Sequence, residues 1–326
     1  MTAYIIRRVL YGVPIVLGVL FLLFILFFLY ADPEAMARKA LGEKASVEVI
    51  NNWIREKGYD RPRFFNPKYP VTEAGFWTDA ILFDHFHSML TLNFGGSDID
   101  DYPILDRIKQ GAGPSLTVTV PIFVIGTLVT IAVSLFVAFF RGSYIDQAGL
   151  FVSVLAMSVV IFVYIMVGQY FFSSQWRWFP ISGFDRASAW RFVALPALVG
   201  IITNLGGGVR FYRTIMVEEV NRDYVRTARA KGVGEVQIMF KHVLKNGMLP
   251  ILTSLVMQIP FLFLGSLLLE NFFGIPGLGS VTYDAIDQND FATLRVMVFI
   301  GAVVFVIGQI LTDISYSFVD PRVRLS

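Results

Sequence analysis

Residues 219–250 read EVNRDYVRTARAKGVGEVQIMFKHVLKNGMLP, and they form a long, basic interruption in an otherwise apolar chain. The whole chain is 55% hydrophobic and only 16% charged, whereas ordinary globular proteins carry about 25% charged residues. This composition predicts a bundle of membrane helices. A membrane protein that keeps a polar, amphipathic segment between two apolar runs is expected to present that segment at a surface. The chain has no cysteine, which excludes disulfides, thiolate catalysis and cysteine-ligated metals.

Uncharged runs predict six membrane-spanning helices. A helix rises about 1.5 Å per residue, so about 20 apolar residues cross the hydrocarbon core of a bilayer. The runs are 9–30, 111–140, 147–176, 192–209, 246–269 and 296–312, the last extending towards Phe318. The first run is too long for a signal sequence, and Ala31-Asp32-Pro33 lacks the small-residue pattern of a cleavage site. We therefore expect an uncleaved anchor.

Lysine and arginine in the loops predict the orientation of the chain. Short cytoplasmic loops are enriched in positive charge. Bases precede the first run, follow the second and the sixth, and are most concentrated between the fourth and fifth, where eight occur from Arg210 to Lys245. Both termini and the 210–245 loop are therefore expected in the cytoplasm, and the 31–110 segment outside. The aromatic content of that segment is too high for a disordered linker and predicts a small cap on the membrane surface.

The central polar stretch predicts an amphipathic helix over 217–233. Its apolar positions share one stripe: Val217, Val220, Tyr224 and Ala228. Gly232 and Gly234 are expected to end the helix, and a second helix with apolar Ile238, Phe240 and Val243 follows. Spacing alone supports two interpretations equally. The helix lies on the lipid interface, or it docks a soluble partner that approaches closely at small residues.

Several motifs resemble one transporter family. The stretch Asp223-Tyr-Val-Arg-Thr-Ala-Arg-Ala-Lys-Gly232, followed by Lys241-His242 and Asn246, resembles the cytoplasmic loop of the oligopeptide/dipeptide/nickel ABC importer permeases of the B-subunit type. Lys245 replaces the commoner arginine of that loop. Glu270-Asn-Phe-Phe-Gly-Ile-Pro-Gly-Leu-Gly279 is similar to a second family motif. The start Tyr4–Arg8 and the tail Asp320-Pro-Arg-Val-Arg324 match as well, and Gly58–Pro62 and Asp313–Tyr316 look most like the YejB-type peptide branch.

The resemblance implies a fold, a role and a set of partners. It implies an all-α integral membrane protein with six transmembrane helices, in which the last five form a type I ABC importer core. The loop would form a coupling helix in a groove of a cytoplasmic ATPase. The implied contacts are Tyr224, Arg226, Thr227, Ala228, Lys231 and Gly232. The implied partners are a second homologous permease, two ATPase subunits that bind ATP and Mg²⁺, an extracytoplasmic substrate-binding protein and membrane lipid, with oligopeptides or peptide-like compounds as the solute.

These features divide the chain into four parts. Residues 1–30 form the cytoplasmic N-terminus and first helix, and 31–112 the extracytoplasmic lobe. Residues 113–318 form the five-helix core with a coupling loop at about 213–245, and 319–326 form a cytoplasmic tail. The expected location is a bacterial inner (plasma) membrane, with multiple passes and both termini in the cytoplasm.

The chemistry-bearing residues favour a transport subunit over an enzyme. The sequence contains no G-x-x-x-x-G-K-[ST] motif, so a partner must bind ATP, and no nucleophile–base–acid set is visible. Glu270 and Asp313 lie near span ends, where structural capping is expected, and His85 and His87 are expected at the surface. Gly206–Gly208 is expected to allow close helix packing, with a hinge as the alternative. The amides that either line a pathway or bond between helices are Gln169, Asn204, Gln258 and Gln309.

Two rival classes stay open on the residues alone. An ion-coupled secondary transporter would need no ATPase. A membrane scaffold would use the 217–233 helix only to recruit a soluble protein. The 270–293 segment, with Pro276 and three glycines, predicts a tight non-helical turn on the external side.

Overall fold

The computed structural model of the protein describes residues 2–30 and 32–319, and describes side chains for residues 6–30 and 32–312. Within these ranges the regular structure is helical, apart from one bridge between Gly96 and Pro103. The predicted tail motif at 320–324 lies outside the described residues, as does the side chain of Asp313.

Fifteen α-helices occur in the described part of the chain. In order they are α1 (Thr2–Phe24), α2 (Pro33–Leu41), α3 (Val47–Glu56), α4 (Ala74–Thr78), α5 (Ile81–Leu90), α6 (Ile104–Phe139), α7 (Tyr144–Ser158), α8 (Ile161–Gly168), α9 (Ala189–Val220), α10 (Asp223–Ala230), α11 (Glu235–Ile238), α12 (Lys245–Leu264), α13 (Leu267–Phe272), α14 (Leu278–Asp287) and α15 (Phe291–Val319). Three π-helical turns extend them, at Ile25–Tyr30, Gln169–Gln175 and Met239–Leu244.

Five stretches of the described chain are each long and apolar enough to cross a membrane. They are Ile6–Tyr30, Ile104–Phe139, Ala189–Val220, Glu235–Phe272 and Phe291–Thr312. A sixth candidate is the pair Tyr144–Ser158 and Ile161–Gln175, which is bent by 91°. The uncharged run 147–176 predicts one continuous span here, so the bend was not foreseen. The hydroxyl of Tyr164 donates to the carbonyl of Ala156 (2.9 Å), which satisfies one backbone group near the bend.

Contacts between loops place the two ends of the bent pair on opposite sides of the bundle, as expected of one broken span. Before its start, Arg141 donates to the side-chain oxygen of Asn221 (2.6 Å). Beyond its end, the backbone N–H of Gly183 donates to the carbonyl of Phe273 (2.8 Å). Asn221 and Phe273 flank opposite ends of the span Glu235–Phe272, so the two ends of the bent pair lie on opposite sides. The described chain therefore has the six predicted spans. We name its two faces the lobe side, which carries 31–103, and the α10 side.

The bundle is closely packed where α9 meets its neighbours. A Cβ at Gly206 would lie 2.6 Å from the carbonyl oxygen of Ser153, and one at Gly208 would lie 2.6 Å from the methyl carbon of Thr130. Neither position has room for a side chain. The predicted role of Gly206–Gly208 in close helix packing is confirmed.

The lobe is a cap of short helices, α2 to α5, on the lobe-side ends of α1 and α15. Its helix α3 begins after an N-cap at Ser46, whose side-chain oxygen accepts a hydrogen bond from the N–H of Val49. The small core of the lobe consists of Met36, Ala37, Ile50, Trp53 and Tyr59. The helix of the second span begins at Ile104, within the range predicted for the lobe. The surface prediction for His85 is wrong, because its ring is buried and its Nε2 donates to the carbonyl of Leu20 (3.1 Å).

The second motif forms a turn around a buried carboxylate. The prediction of a non-helical segment over 270–293 is wrong for most of its length, although 273–277 are not helical. α13 runs to Phe272, and α14 begins at Leu278, where Pro276 and the glycines lie at its start or before it. Glu270 is fully buried and accepts hydrogen bonds from the backbone N–H groups of Ser266 (3.0 Å) and Gly279 (2.7 Å). Its predicted capping role is confirmed, since the carboxylate accepts hydrogen bonds from N–H groups in the first turn of α14.

Candidate functional site

The predicted amphipathic helix is two helices rather than one. α9 ends at Val220, and α10 begins at Asp223 after a break at Asn221 and Arg222. Arg222 is extended, with φ −69° and ψ 152°, which is the backbone geometry of a helix N-cap. The prediction of a continuous helix over 217–233 is therefore wrong. Periodicity could not detect the break because both helices keep the same apolar side.

One face of α10 is packed inside the protein. Val225 is fully buried and Ala228 is 8% exposed, and both join an apolar cluster with α9, α11 and α12. Tyr224 lies at the edge of this face, where its hydroxyl donates to Glu219 Oε2 (2.5 Å). Partial burial and the neighbouring Glu219 raise the pKa of the Tyr224 hydroxyl above its usual value of 10. The apolar stripe therefore packs α10 against α9, α11 and α12 of the same chain.

The end of α10 is closed by a glycine and an ion pair. Gly232 has φ +79°, and the N–H of Val233 donates to the carbonyl of Ala228 (3.2 Å). This is the left-handed helix ending that favours glycine. Arg229 then forms two hydrogen bonds to Glu235, at 2.6 and 3.0 Å. Gly232 ends the helix as predicted, whereas Gly234 is the N-cap of α11.

The opposite face of α10 is open to solvent and carries positive charge. Of the six predicted contact residues, Arg226, Thr227, Lys231 and Gly232 are exposed. Tyr224 is half-buried and Ala228 is buried. The weak pair between Arg226 and Asp223 (3.5 Å) leaves both side chains largely exposed. The structure thus brings four of the predicted residues to one surface and places Ala228 beneath it.

An ion pair that was not predicted from the sequence stabilises α9, the helix against which α10 packs. Arg213 on α9 donates from Nε and Nη2 to the two carboxylate oxygens of Asp146, both at 2.6 Å. Asp146 also accepts from the backbone N–H of Gly142 (2.9 Å). The pair joins the start of α7 to α9, the helix that precedes α10. Its signal in the sequence was the acid Asp146 at the border of the third uncharged run.

A cavity of about 600 Å³ opens between the membrane helices. It is lined by hydroxyl, amide, aromatic and aliphatic groups of α6, α8, α9, α12 and α13 and the loop between the last two. The polar members are Thr119, Thr127, Thr130, Thr203, Asn204, Tyr212, Ser254, Gln258 and Ser266. None of its lining side chains is an acid or a base. The cavity wall is therefore uncharged in the described chain, and it mixes these polar groups with a larger apolar surface.

The structure distinguishes the four side-chain amides that were expected either to line a pathway or to bond between helices. Asn204 and Gln258 line the cavity. Gln169 instead donates to the backbone carbonyls of Ile181 (3.1 Å) and Phe272 (2.9 Å), which ties the third span to the turn around Glu270. Gln309 is exposed on α15. Two amides thus face a pathway, and one bonds between elements.

Comparison with known proteins identifies the family. Residues 130–325 match the family described as binding-protein-dependent transport system inner membrane component. The chain belongs to this family. It is 29% identical over 329 residues to the glutathione transport system permease protein GsiC of Salmonella choleraesuis (strain SC-B67), and 28% identical over 331 residues to GsiC of Escherichia coli (strain K12). Each alignment covers 99% of both chains.

Membership fixes the general role of the molecule. The protein is the permease subunit of an ABC importer, with the type I importer fold, and it is a multi-pass inner-membrane protein. It works with an ATPase and a binding protein, and it is a transport component rather than an enzyme. The matched range contains α10, the Arg213–Asp146 pair and the part of the cavity from Thr130 onward.

Proposed function

We propose that this permease imports short peptides and peptide-like solutes by alternating access, driven by an ATPase that docks on the exposed face of α10. The observation that carries the proposal is the connection between α10 and the cavity. α10 follows α9 after two residues and precedes α11 and α12, and both α9 and α12 contribute residues to the cavity wall. A force on α10 therefore reaches two walls of the pathway directly.

The lining of the cavity supports a peptide-like solute. A peptide backbone offers alternating donors and acceptors. The side-chain amides of Asn204 and Gln258 each donate one hydrogen to a carbonyl of their own helix, which leaves the second amide hydrogen and the oxygen of each for a solute. An uncharged wall selects weakly between side chains of different charge. The two relatives are named as glutathione permeases, and glutathione is itself a tripeptide. Placement in the YejB-type branch stays a prediction.

The proposed assembly has five protein components. This chain pairs with a second homologous permease to close the pathway. Two ATPase subunits, which bind ATP and Mg²⁺, each receive a coupling helix, here the surface of Arg226, Thr227, Lys231 and Gly232. A substrate-binding protein delivers the solute on the lobe side. In this arrangement the α10 side and both termini face the cytoplasm.

Reconstitution with the ATPases, second permease and binding protein encoded beside this chain tests the proposal. We expect loaded binding protein to stimulate ATP hydrolysis and to drive peptide uptake into proteoliposomes. Uptake that an ion gradient drives without ATP would support a secondary transporter instead. Recruitment of a soluble protein without any uptake would support the scaffold.

A variant pair tests the docking surface separately. Arg226→Glu reverses an exposed charge on α10 and is expected to weaken co-purification of the ATPase at least tenfold, the effect of losing about 1.4 kcal/mol of binding. Arg186→Glu changes an exposed arginine on the lobe side and serves as the control. Equal co-purification of both variants and the unaltered chain would contradict docking at α10.

A further inference from the structure

The lobe carries an apolar groove that shares no lining residue with the cavity between the membrane helices. Its volume is about 490 Å³, and its walls are Phe64, Phe65, Trp77, Leu82, Phe83 and Phe86. Phe65 and Trp77 are 49% and 56% exposed. Exposing this much aromatic surface to water is unfavourable, so covering it would lower the free energy of the protein.

Hydrogen bonds outside the groove hold its walls in place. The N–H of Leu82 donates to the carbonyl of Arg63 (3.0 Å), which joins the start of α5 to the segment before it. The N–H of Asn66 donates to the carbonyl of Phe76 (2.8 Å), and its side chain donates to Asp79 (2.8 Å). The aromatic rings therefore line a framed groove rather than a loose surface loop.

The groove continues onto the first membrane span at a depth that lies within the bilayer. Phe64 packs edge-on against Phe24 of α1, with ring centroids 5.4 Å apart. Phe86 packs against the apolar cluster that contains Leu20 and Leu23 of α1. At about 1.5 Å per residue, Leu20 lies roughly 18 Å and Phe24 roughly 24 Å along the helix from Arg8. The hydrocarbon core is about 30 Å thick, so both levels fall inside it.

The polar groups of α5 fit a position at the edge of the hydrocarbon. Asp84 is paired with Arg61, and His85 points inward to the carbonyl of Leu20. The exposed ring of His87 stacks on Phe83, with centroids 5.7 Å apart. A wide, exposed Trp77 at the rim matches the aromatic belt that membrane proteins place at the headgroup level.

We infer that the groove binds an acyl chain of a phospholipid from the leaflet on the lobe side. Its apolar walls, its contact with the first membrane span and its depth all favour a hydrocarbon chain over a folded protein. The lobe is then seated partly within that leaflet, with α5 against α1. Lipid composition would act on the lobe and, through α1 and α15, on the bundle.

Fluorescence quenching by lipid tests the inference in nanodiscs. The full chain is placed in phosphatidylcholine that carries bromine in mid-chain, and tryptophan quenching is compared with discs of unbrominated lipid. Trp77→Phe is expected to remove a clear part of the quenching. Trp53→Phe is the control, because Trp53 is 7% exposed and stacked on Tyr59, and it should leave the bromine-dependent quenching unchanged.

A second pair separates a chain inside the groove from lipid that only touches its rim. Phe83→Asp places a charge on the groove wall. It should reduce severalfold the part of the bromine-dependent quenching that Trp77→Phe removes. Leu92→Asp alters an exposed apolar residue beyond α5 and outside the groove, and should leave it unchanged. Equal quenching in Phe83→Asp and the unaltered chain would overturn the inference. So would quenching of Trp77 by aqueous iodide but not by bromine, or its protection from iodide only when the binding protein or a second copy is added.

Discussion

The two faces of the protein handle their polar residues in opposite ways. On the lobe side the conspicuous polar groups turn inward: Glu270 is fully buried, His85 is 4% exposed, and Asp290 is 2% exposed. On the α10 side, Arg226 and Lys231 point outward, although they belong to a motif as distinctive as that around Glu270. Buried polar groups must be hydrogen-bonded to be tolerated, so the lobe-side motif stabilises the fold. Exposed charges contribute little to stability, so the α10 motif is available to a partner.

The largest effect is expected from removing the carboxylate of Glu270. Glu270→Ala leaves the N–H groups of Ser266 and Gly279 buried without acceptors. Since each such loss costs about 1–3 kcal/mol, the free energy of unfolding should fall by about 4 kcal/mol. The measurement is unfolding by denaturant titration in mixed micelles. A loss no greater than that of Glu48→Ala, an exposed acid of the lobe, would show that the turn does not depend on its carboxylate.

The next effect tests the buried ion pair of the α10 side. Arg213→Ala leaves Asp146 as an unpaired acid whose side chain is only 7% exposed. Breaking a buried pair by removing one partner costs about 3 kcal/mol. The same titration measures it, with Arg210→Ala, an exposed base on the same helix, as the matched control. If Arg213→Ala and Arg210→Ala are equally stable, the Arg213–Asp146 ion pair does not stabilise the α10 side. Buried polar contacts would then stabilise only the lobe side.

Adjacent substitutions in α10 test its two faces directly. Ala228→Glu places a charge in the apolar cluster beneath α10 and should destabilise the protein by about 2 kcal/mol. Thr227→Glu lies on the exposed face, so it should preserve stability while reducing ATPase co-purification. Stability is measured by denaturant titration and docking by co-purification from the same membranes. The reverse pattern, with Ala228→Glu stable and Thr227→Glu unfolded, would exchange the roles of the faces.

Acid should weaken the buried contact between His85 of the lobe and the first span. Burial, and then the charge of Arg295, lower the pKa of His85 to about 4 from 6.5. Because the folded pKa is depressed, the stabilisation is present above about pH 6.5 and is lost as the pH falls towards 4. The loss attributable to His85 reaches about 2 kcal/mol at about pH 5. Unfolding is measured across this range, and His85→Gln should flatten the dependence. An unchanged slope in that variant would assign the acid sensitivity elsewhere.

The sequence predicted membrane spans, faces and motifs better than it predicted what each motif contacts. Uncharged runs are direct consequences of the bilayer, so the six spans were recoverable. The stripe through Val220 and Ala228 was also real, but periodicity shows that a side is buried and not against what. Ala228 therefore looked like a docking position and proved to be a core one. The Arg213–Asp146 pair joins residues far apart in the chain, so the sequence shows the acid at the border of the third run but not its partner. The bend before Ile161 depends on tertiary packing and had no local signature.

The smallest effect concerns the residue between the two faces of α10. Tyr224→Phe removes the hydrogen bond to Glu219 but keeps the ring in the apolar cluster, so stability should fall by only about 1 kcal/mol. The pKa of the hydroxyl is raised, chiefly by partial burial and then by Glu219. The contribution is therefore fully present below pH 10 and is lost as the pH rises through the higher folded value. Stability and ATPase co-purification are measured at neutral pH. A loss of co-purification with unchanged stability would place Tyr224 with Arg226 and Thr227 on the docking surface, and a loss of stability alone would place it with Ala228.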